Sequence, residues 1–213
     1  MLMVAYAHRI SGDFARAKEL DERALLICHR QFGEDDPVTL RAANNLGVSL
    51  RLTGDFLQAA DLDQKTYLRR QEILGSNDSE TLLTLNGLII DLRESGEFVK
   101  ARVQQEETLE RSVAAFQHPD NPSVMRASRN LAVACRKAGD HPEALKLASD
   151  TAERYRRRYG DDYPDTMAAN LNLAIDERHA GNLDAARRLG EETLTRYRAT
   201  LGLQHPHAVS AQI

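Results

Sequence analysis

Five arginines carry the most regular chemistry in this chain. Arg9, Arg51, Arg93, Arg136 and Arg178 each stand three residues before a glycine, and those glycines, Gly12, Gly54, Gly96, Gly139 and Gly181, recur at intervals of 42, 42, 43 and 42 residues. A guanidinium fork makes two parallel charge-assisted hydrogen bonds with a carboxylate. Repeated five times, the arrangement can hold an acidic ligand, or it can pair with acids of neighbouring helices such as Asp21, Asp63, Asp91 and Asp176. Duplication copies a residue along with its scaffold, so recurrence alone does not choose between the two. Asn45, Asn130 and Asn172 also recur, nine residues before their glycines. An amide side chain can meet both the N–H and the C=O of an extended peptide, or tie backbones together between helices.

Other constellations are poorer. Arg154, Arg156, Arg157 and Arg158 form a basic run, but they fall at a helix end, where cations complement the helix dipole, as do Arg69, Arg70, Arg196 and Arg198. His205 and His207 flank Pro206 without a third ligand spaced to complete a metal site. Cys28 and Cys135 lie far apart with no CxxC pattern and read as small buried apolar side chains. Tyr155, Tyr159, Tyr163 and Tyr197 read as packing residues. No nucleophile elbow, phosphate-binding glycine loop, HExxH or recurring Ser/His/Asp set occurs, so the chain reads as a non-enzyme without cofactor or metal. The net charge of −4 gives no general attraction to nucleic acid or anionic lipid. The absence of a long apolar run, and a start that meets charge within a few residues, point away from a membrane and toward the cytoplasm.

The elements that position these residues follow from the same period. Each recurrent glycine is followed by Asp13, Asp55, Glu97, Asp140 or Asn182, mostly good N-caps, and then by Ala17, Ala59, Ala101, Ala144 or Ala186. A second helix closes near Phe32, Leu74, Phe116, Tyr159 and Leu201, and Pro37, Ser79, Pro122, Pro164 and Pro206 open the next first helix. Helix pairs are expected at about 1–36, 37–78, 79–121, 122–163 and 164–205 of a single array over 1–213, with a truncated sixth from 206. Apolar stripes such as Leu46, Gly47 and Leu50, or Leu131, Ala132 and Cys135, cannot be buried by one pair alone. Stacked neighbours bury them, which is the physics of a solenoid. Open ends of such a stack predict self-association.

The order of leucine, small residue, Gly-Asp/Glu/Asn and alanine in each repeat resembles the tetratricopeptide repeat, and the 42-residue period resembles the kinesin light chain variety. The stretch NNLGVSLRLTGDFLQAADLDQKTYLRRQEILG is similar to actinobacterial arrays, including NTPase-linked regulators and partners of FxSxx-carboxylate peptide systems. The resemblance implies an all-α, right-handed superhelical solenoid of antiparallel helix pairs that binds a protein or peptide. It also implies that the arginine positions, with those three, seven and ten residues earlier, face a concave groove. That set includes Arg41, Asn44 and Arg51; Asn86 and Arg93; Arg126, Arg129 and Arg136; and Arg178, with Arg9 as its first member. Such a groove suits an acidic segment or a free C-terminal carboxylate. A scaffold or sensor segment of a longer NTPase-linked protein, acting through its own domains or by self-association, is the alternative. Glu177 and His8 depart from the pattern where Leu50, Leu92 and Cys135 stand, and Gly87 replaces the recurrent asparagine.

Overall fold

The recurrent glycines end helices because they adopt a backbone that a Cβ would strain. Gly54 has φ 85°, its N–H donates to the Arg51 carbonyl, and the next N–H, of Asp55, reaches back to the Leu50 carbonyl at 2.8 Å. The same reach-back joins Asp13 to His8, Glu97 to Leu92, Asp140 to Cys135 and Asn182 to Glu177. Asp13 and Asp140 then cap the following helix by accepting from the backbone N–H of Arg16 and Glu143. At the other end of each pair, Asp36, Asp78 and Asn121 cap helices that open on Pro37, Ser79 and Pro122.

The computed structural model describes residues 1–202, 205, 206 and 208. Ten helices follow: α1 (Leu2–Ser11), α2 (Phe14–Phe32), α3 (Pro37–Leu52), α4 (Phe56–Leu74), α5 (Ser79–Glu94), α6 (Phe98–Phe116), α7 (Pro122–Lys137), α8 (His141–Tyr159), α9 (Pro164–His179) and α10 (Leu183–Leu201). The described residues contain no strand. Of the truncated sixth pair, Pro206 and Ala208 are helical and Ala208 packs with Met167 and Tyr197; the rest, including His207, lies outside the described residues.

The helices divide into two compact units, Met1–Glu97 and Phe98–Ile213. In the first, each helix packs on the next from α1 to α5, and the first helices also touch one another, α1 on α3 and α3 on α5. In the second, α6 to α10 pack in succession and α7 touches α9. Ala17, Ala59, Ala101 and Ala144 are fully buried, as a small residue at a close helix contact should be, whereas Ala186 is only half-buried. Leu46, Leu50 and Ala59, with Leu25 and Leu62, form one apolar cluster of the first unit. Met125, Ala152, Tyr155 and Ala169 form one apolar cluster of the second, and Leu131, Cys135 and Ala144 another. The two departures in the apolar stripe serve the turns: the His8 ring lies 3.3 Å from Asp13, and Glu177 accepts from Asn182 at 2.6 Å.

Candidate functional site

The arginines stand on the last turn of the first helices, and the structure gives three of them internal partners. Arg9 of α1 donates to Asp21 of α2 and, at 3.1 Å, to Ser49 of α3; Ser49 donates to Asp21 at 2.7 Å and closes the triangle. Arg51 of α3 donates to Asp63 of α4 and, at 3.2 Å, to Asp91 of α5. Arg136 of α7 lies 3.0 Å from Asp176 of α9, with angles that make this a contact of charges rather than a hydrogen bond, since neither Asp176 oxygen has a hydrogen-bond partner. Its donors go instead to the carbonyl and side-chain oxygens of Asn172, both at 3.3 Å. These three arginine side chains are 9–12% exposed and their acids almost wholly buried. Arg93 bonds the adjacent Glu94, and Arg178 is exposed.

Repeat arithmetic explains the pattern. Arg9 and Arg51 meet the second helix of their own pair twelve residues on and the first helix of the following pair forty residues on, and Arg136 meets only the latter. Those positions hold Asp21 and Ser49 for Arg9, Asp63 and Asp91 for Arg51, and Ala148 and Asp176 for Arg136; for Arg93 they hold Gln105 and, forty-one residues on because the following loop has one extra residue, Ala134. Burial is the largest influence on Asp21, Asp63, Asp91 and Asp176 and pushes each above the usual carboxylate range; the arginines pull the other way. Buried pairs of this kind specify how helices seat more reliably than they add net stability.

The exposed stripe is turned by one residue from the expected one. Asn44 and Asn86 are buried, Asn44 accepting from Thr84 at 3.2 Å and Asn86 donating to the Leu82 carbonyl at 2.8 Å. Asn45, Asn130 and Asn172 are half-buried on the open side of their helices, together with Val48, Val133 and Ile175. The open stripe is Arg41, Asn45 and Val48 on α3 and Leu83 and Ile90 on α5 in the first unit. In the second it is Arg126, Asn130, Val133 and Lys137 on α7 and Ala168, Asn172, Ile175 and His179 on α9. Two stripes one residue apart satisfy the helical period equally, and packing neighbours choose between them. The recurrence of asparagine at 45, 130 and 172 was the available signal, because positions 44 and 86 are followed by Arg129 and Leu171.

Arg129 leaves the stripe: it donates to Asp165 at 2.5 Å and its guanidinium lies 5.7 Å from the Tyr155 ring centre. The basic run closing α8 is tied to its own surroundings, Arg157 to Asp120 at 2.9 Å and Arg154 to Asp150 at 2.8 Å. Cys28 and Cys135 are free and buried, and burial pushes the Cys135 thiol up to about 11. Among the described residues, no three His, Cys, Asp or Glu side chains gather as metal ligands, and no helix is long and apolar enough to cross a membrane. Unexpected from sequence are Gly47 and Gly87, where any Cβ would stand far inside contact distance of the Asp63 carboxylate. So is Arg70, which is 1% exposed and bonded to the Glu80 carbonyl at 2.6 Å and to Thr84 at 2.7 Å.

Helical hairpins repeating at this period, with a small residue at every close contact, define a repeat solenoid. Residues 1–67, 39–112 and 123–210 match the tetratricopeptide repeat family, and the chain belongs to that family. It is similar to a crystal structure of kinesin-light-chain-type, nearly identical TPR-like repeats from Podosopora anserina, at 20% identity, TM-score 0.67 and 93% coverage of both chains. It is also similar to BtubC (BKLC) from P. vanneervenii, at 19% identity and TM-score 0.66, covering 95% of this chain and 80% of that one. A Rap protein complexed with competence and sporulation factor gives TM-score 0.77 at 11% identity, covering 91% of this chain, which spans about half (52%) of the Rap chain. At these identities the likeness is one of fold. No curated protein sequence matches the chain significantly. Tetratricopeptide repeats are in general protein-interaction modules.

Proposed function

We propose that the chain is a cytoplasmic peptide-binding module whose open first-helix stripe takes an extended acidic segment or chain terminus. The observation that carries this reading is Arg126, half-buried and without an ion-pair partner among the described residues, on one stripe with Asn130, Val133 and Lys137. A free cation, an amide that can meet peptide backbone and an apolar floor are what an acidic extended ligand needs. Arg41 offers the same exposed cation in the first unit, and Arg178 lies exposed at the end of α9. Arg9, Arg51 and Arg136 are engaged by buried acids, which leaves the ligand to the exposed cations. The fold shared with a Rap protein complexed with competence and sporulation factor supports a peptide or protein as ligand.

Selection from a random peptide library with free C-termini tests the reading. Acidic peptides should be enriched by the wild-type chain, lose affinity with rising salt because exposed pairs are screened over about 8 Å at physiological ionic strength, and be lost with Arg126→Glu at unchanged melting temperature. Enrichment without acidic bias, or unaffected by Arg126→Glu, overturns it. A second reading, self-association, is favoured by α1, whose Met3, Tyr6 and Ile10 are 79%, 55% and 46% exposed on one face. Scattering that stays monomeric at high concentration would remove it.

A further inference from the structure

The Arg51 rung differs from its counterparts in charge. Around Arg9 stand one carboxylate, Asp21, and the Ser49 hydroxyl. Around Arg136 stand one carboxylate, Asp176, and Asn172. Around Arg51 two carboxylates converge on a single nitrogen: Asp63 Oδ2 and Asp91 Oδ2 both accept from Nη1. Both acids are buried, and their remaining oxygens have no hydrogen-bond partner. Two negative charges on one guanidinium in a buried site leave one charge that Arg51 does not compensate.

We propose that Asp63, Arg51 and Asp91 form a proton-linked latch, in which one proton held by the two carboxyls seats α5 on α3 and α4 and its loss in alkaline solution loosens α5. Among the described residues, the helices packed there supply the charged groups that act on the pair. From α3 comes Arg51; from α4 comes Asp63, with Arg70 of the same helix acting on it; from α5 itself comes Glu94, bonded to Arg93. Gly47 and Gly87 let the Asp63 carboxylate press against the backbones of α3 and α5, so the cluster has no room to spread. Asp91 and Glu94 line a 320 Å³ cleft walled by Phe56, Leu57, Leu88 and Leu92, which gives the proton a way out to solvent.

Burial pushes the Asp91 carboxyl up to about 7; Arg51 opposes the shift, and Asp63 and Glu94 add to it. Because the folded value lies above the ordinary carboxylate one, the protonated form is favoured by folding. Its contribution is complete at acid pH and is lost as pH rises through about 7. One linked proton changes the opening equilibrium of α5 about tenfold between roughly pH 6 and pH 8. Since α5 carries Leu83 and Ile90 of the open stripe, the latch would set the order of that part of the surface.

The test is amide hydrogen exchange of α5 in the full chain at those two pH values, corrected for intrinsic exchange, with a carbon-detected titration of the aspartate carboxyls. The latch predicts about a tenfold fall in α5 protection, one carboxyl of the pair titrating near neutrality, and an Asp91→Asn chain protected equally at both pH values. An Asp91→Asn chain with the wild-type pH response, or both wild-type carboxyls ionised by about pH 5, overturns it. Should Asp91→Asn fail to fold, the wild-type carboxyl titration decides alone.

Discussion

The two units use one repeat for two kinds of core. In the first, the position nine residues after the turn glycine holds Asp21 and Asp63, and the buried set includes Asp91, Arg70, Thr84 and Asn44. In the second, the same position holds Gln105, Ala148 and Gly190, and the large buried side chains are Met125, Met167, Tyr155 and Tyr197, with Asp176 the buried acid. Burial pushes those two tyrosine hydroxyls up to about 12, keeping them neutral. The hairpin geometry therefore depends on the glycine turn and the small residue at the helix contact, which both units share. What fills the space between stacked hairpins is free to be ionic or aromatic.

The sharpest way to break this comparison is to remove the arginines one at a time. Arg51→Ala leaves two acids buried without their cation, and losing one partner of a buried pair costs about 3–5 kcal/mol. Arg136→Ala leaves only Asp176 and should cost less. Arg93→Ala, whose partner is the adjacent, partly exposed Glu94, should stay within about 0.5 kcal/mol of wild type. Urea midpoints check the order; equal losses at all three would show that the acids do not set the role of each arginine.

Next in size is the small-residue contact, which the units share. Ala59→Leu and Ala144→Leu should each lower stability by about 1–3 kcal/mol through overpacking, in both units alike. Unchanged thermal melting for either would remove alanine from the helix contact.

Glycine separates the units again. In the first, Gly47→Ala or Gly87→Ala drives a methyl into the Asp63 carboxylate and should cost about 1–2 kcal/mol, against the gain that alanine brings to an ordinary helix. In the second, Gly190 has open space around its missing Cβ, so Gly190→Ala should stabilise by about 0.5–1 kcal/mol. A gain at all three glycines, read from calorimetric melting, would mean that close approach to Asp63 is not what holds glycine in α3 and α5.

The period, the helix ends, the glycine turns and the close alanines were legible in the sequence, because each is a local requirement. A left-handed φ at Gly54, a cap at Asp36 or Asn121 and a missing Cβ at Ala59 answer to backbone geometry within a few residues. The acids that meet the arginines were also in view as candidates. Spacing could not show which arginines were internally paired, since the partners lie twelve and forty residues away on other helices. Nor could it show that Asn45 rather than Asn44 faces outward, since both positions obey the helical period and only the packing of α3 between α2, α4 and α5 covers one of them. Burial and charge balance belong to the stack of helices, so only the tertiary structure could decide that Arg51 is shared by two acids.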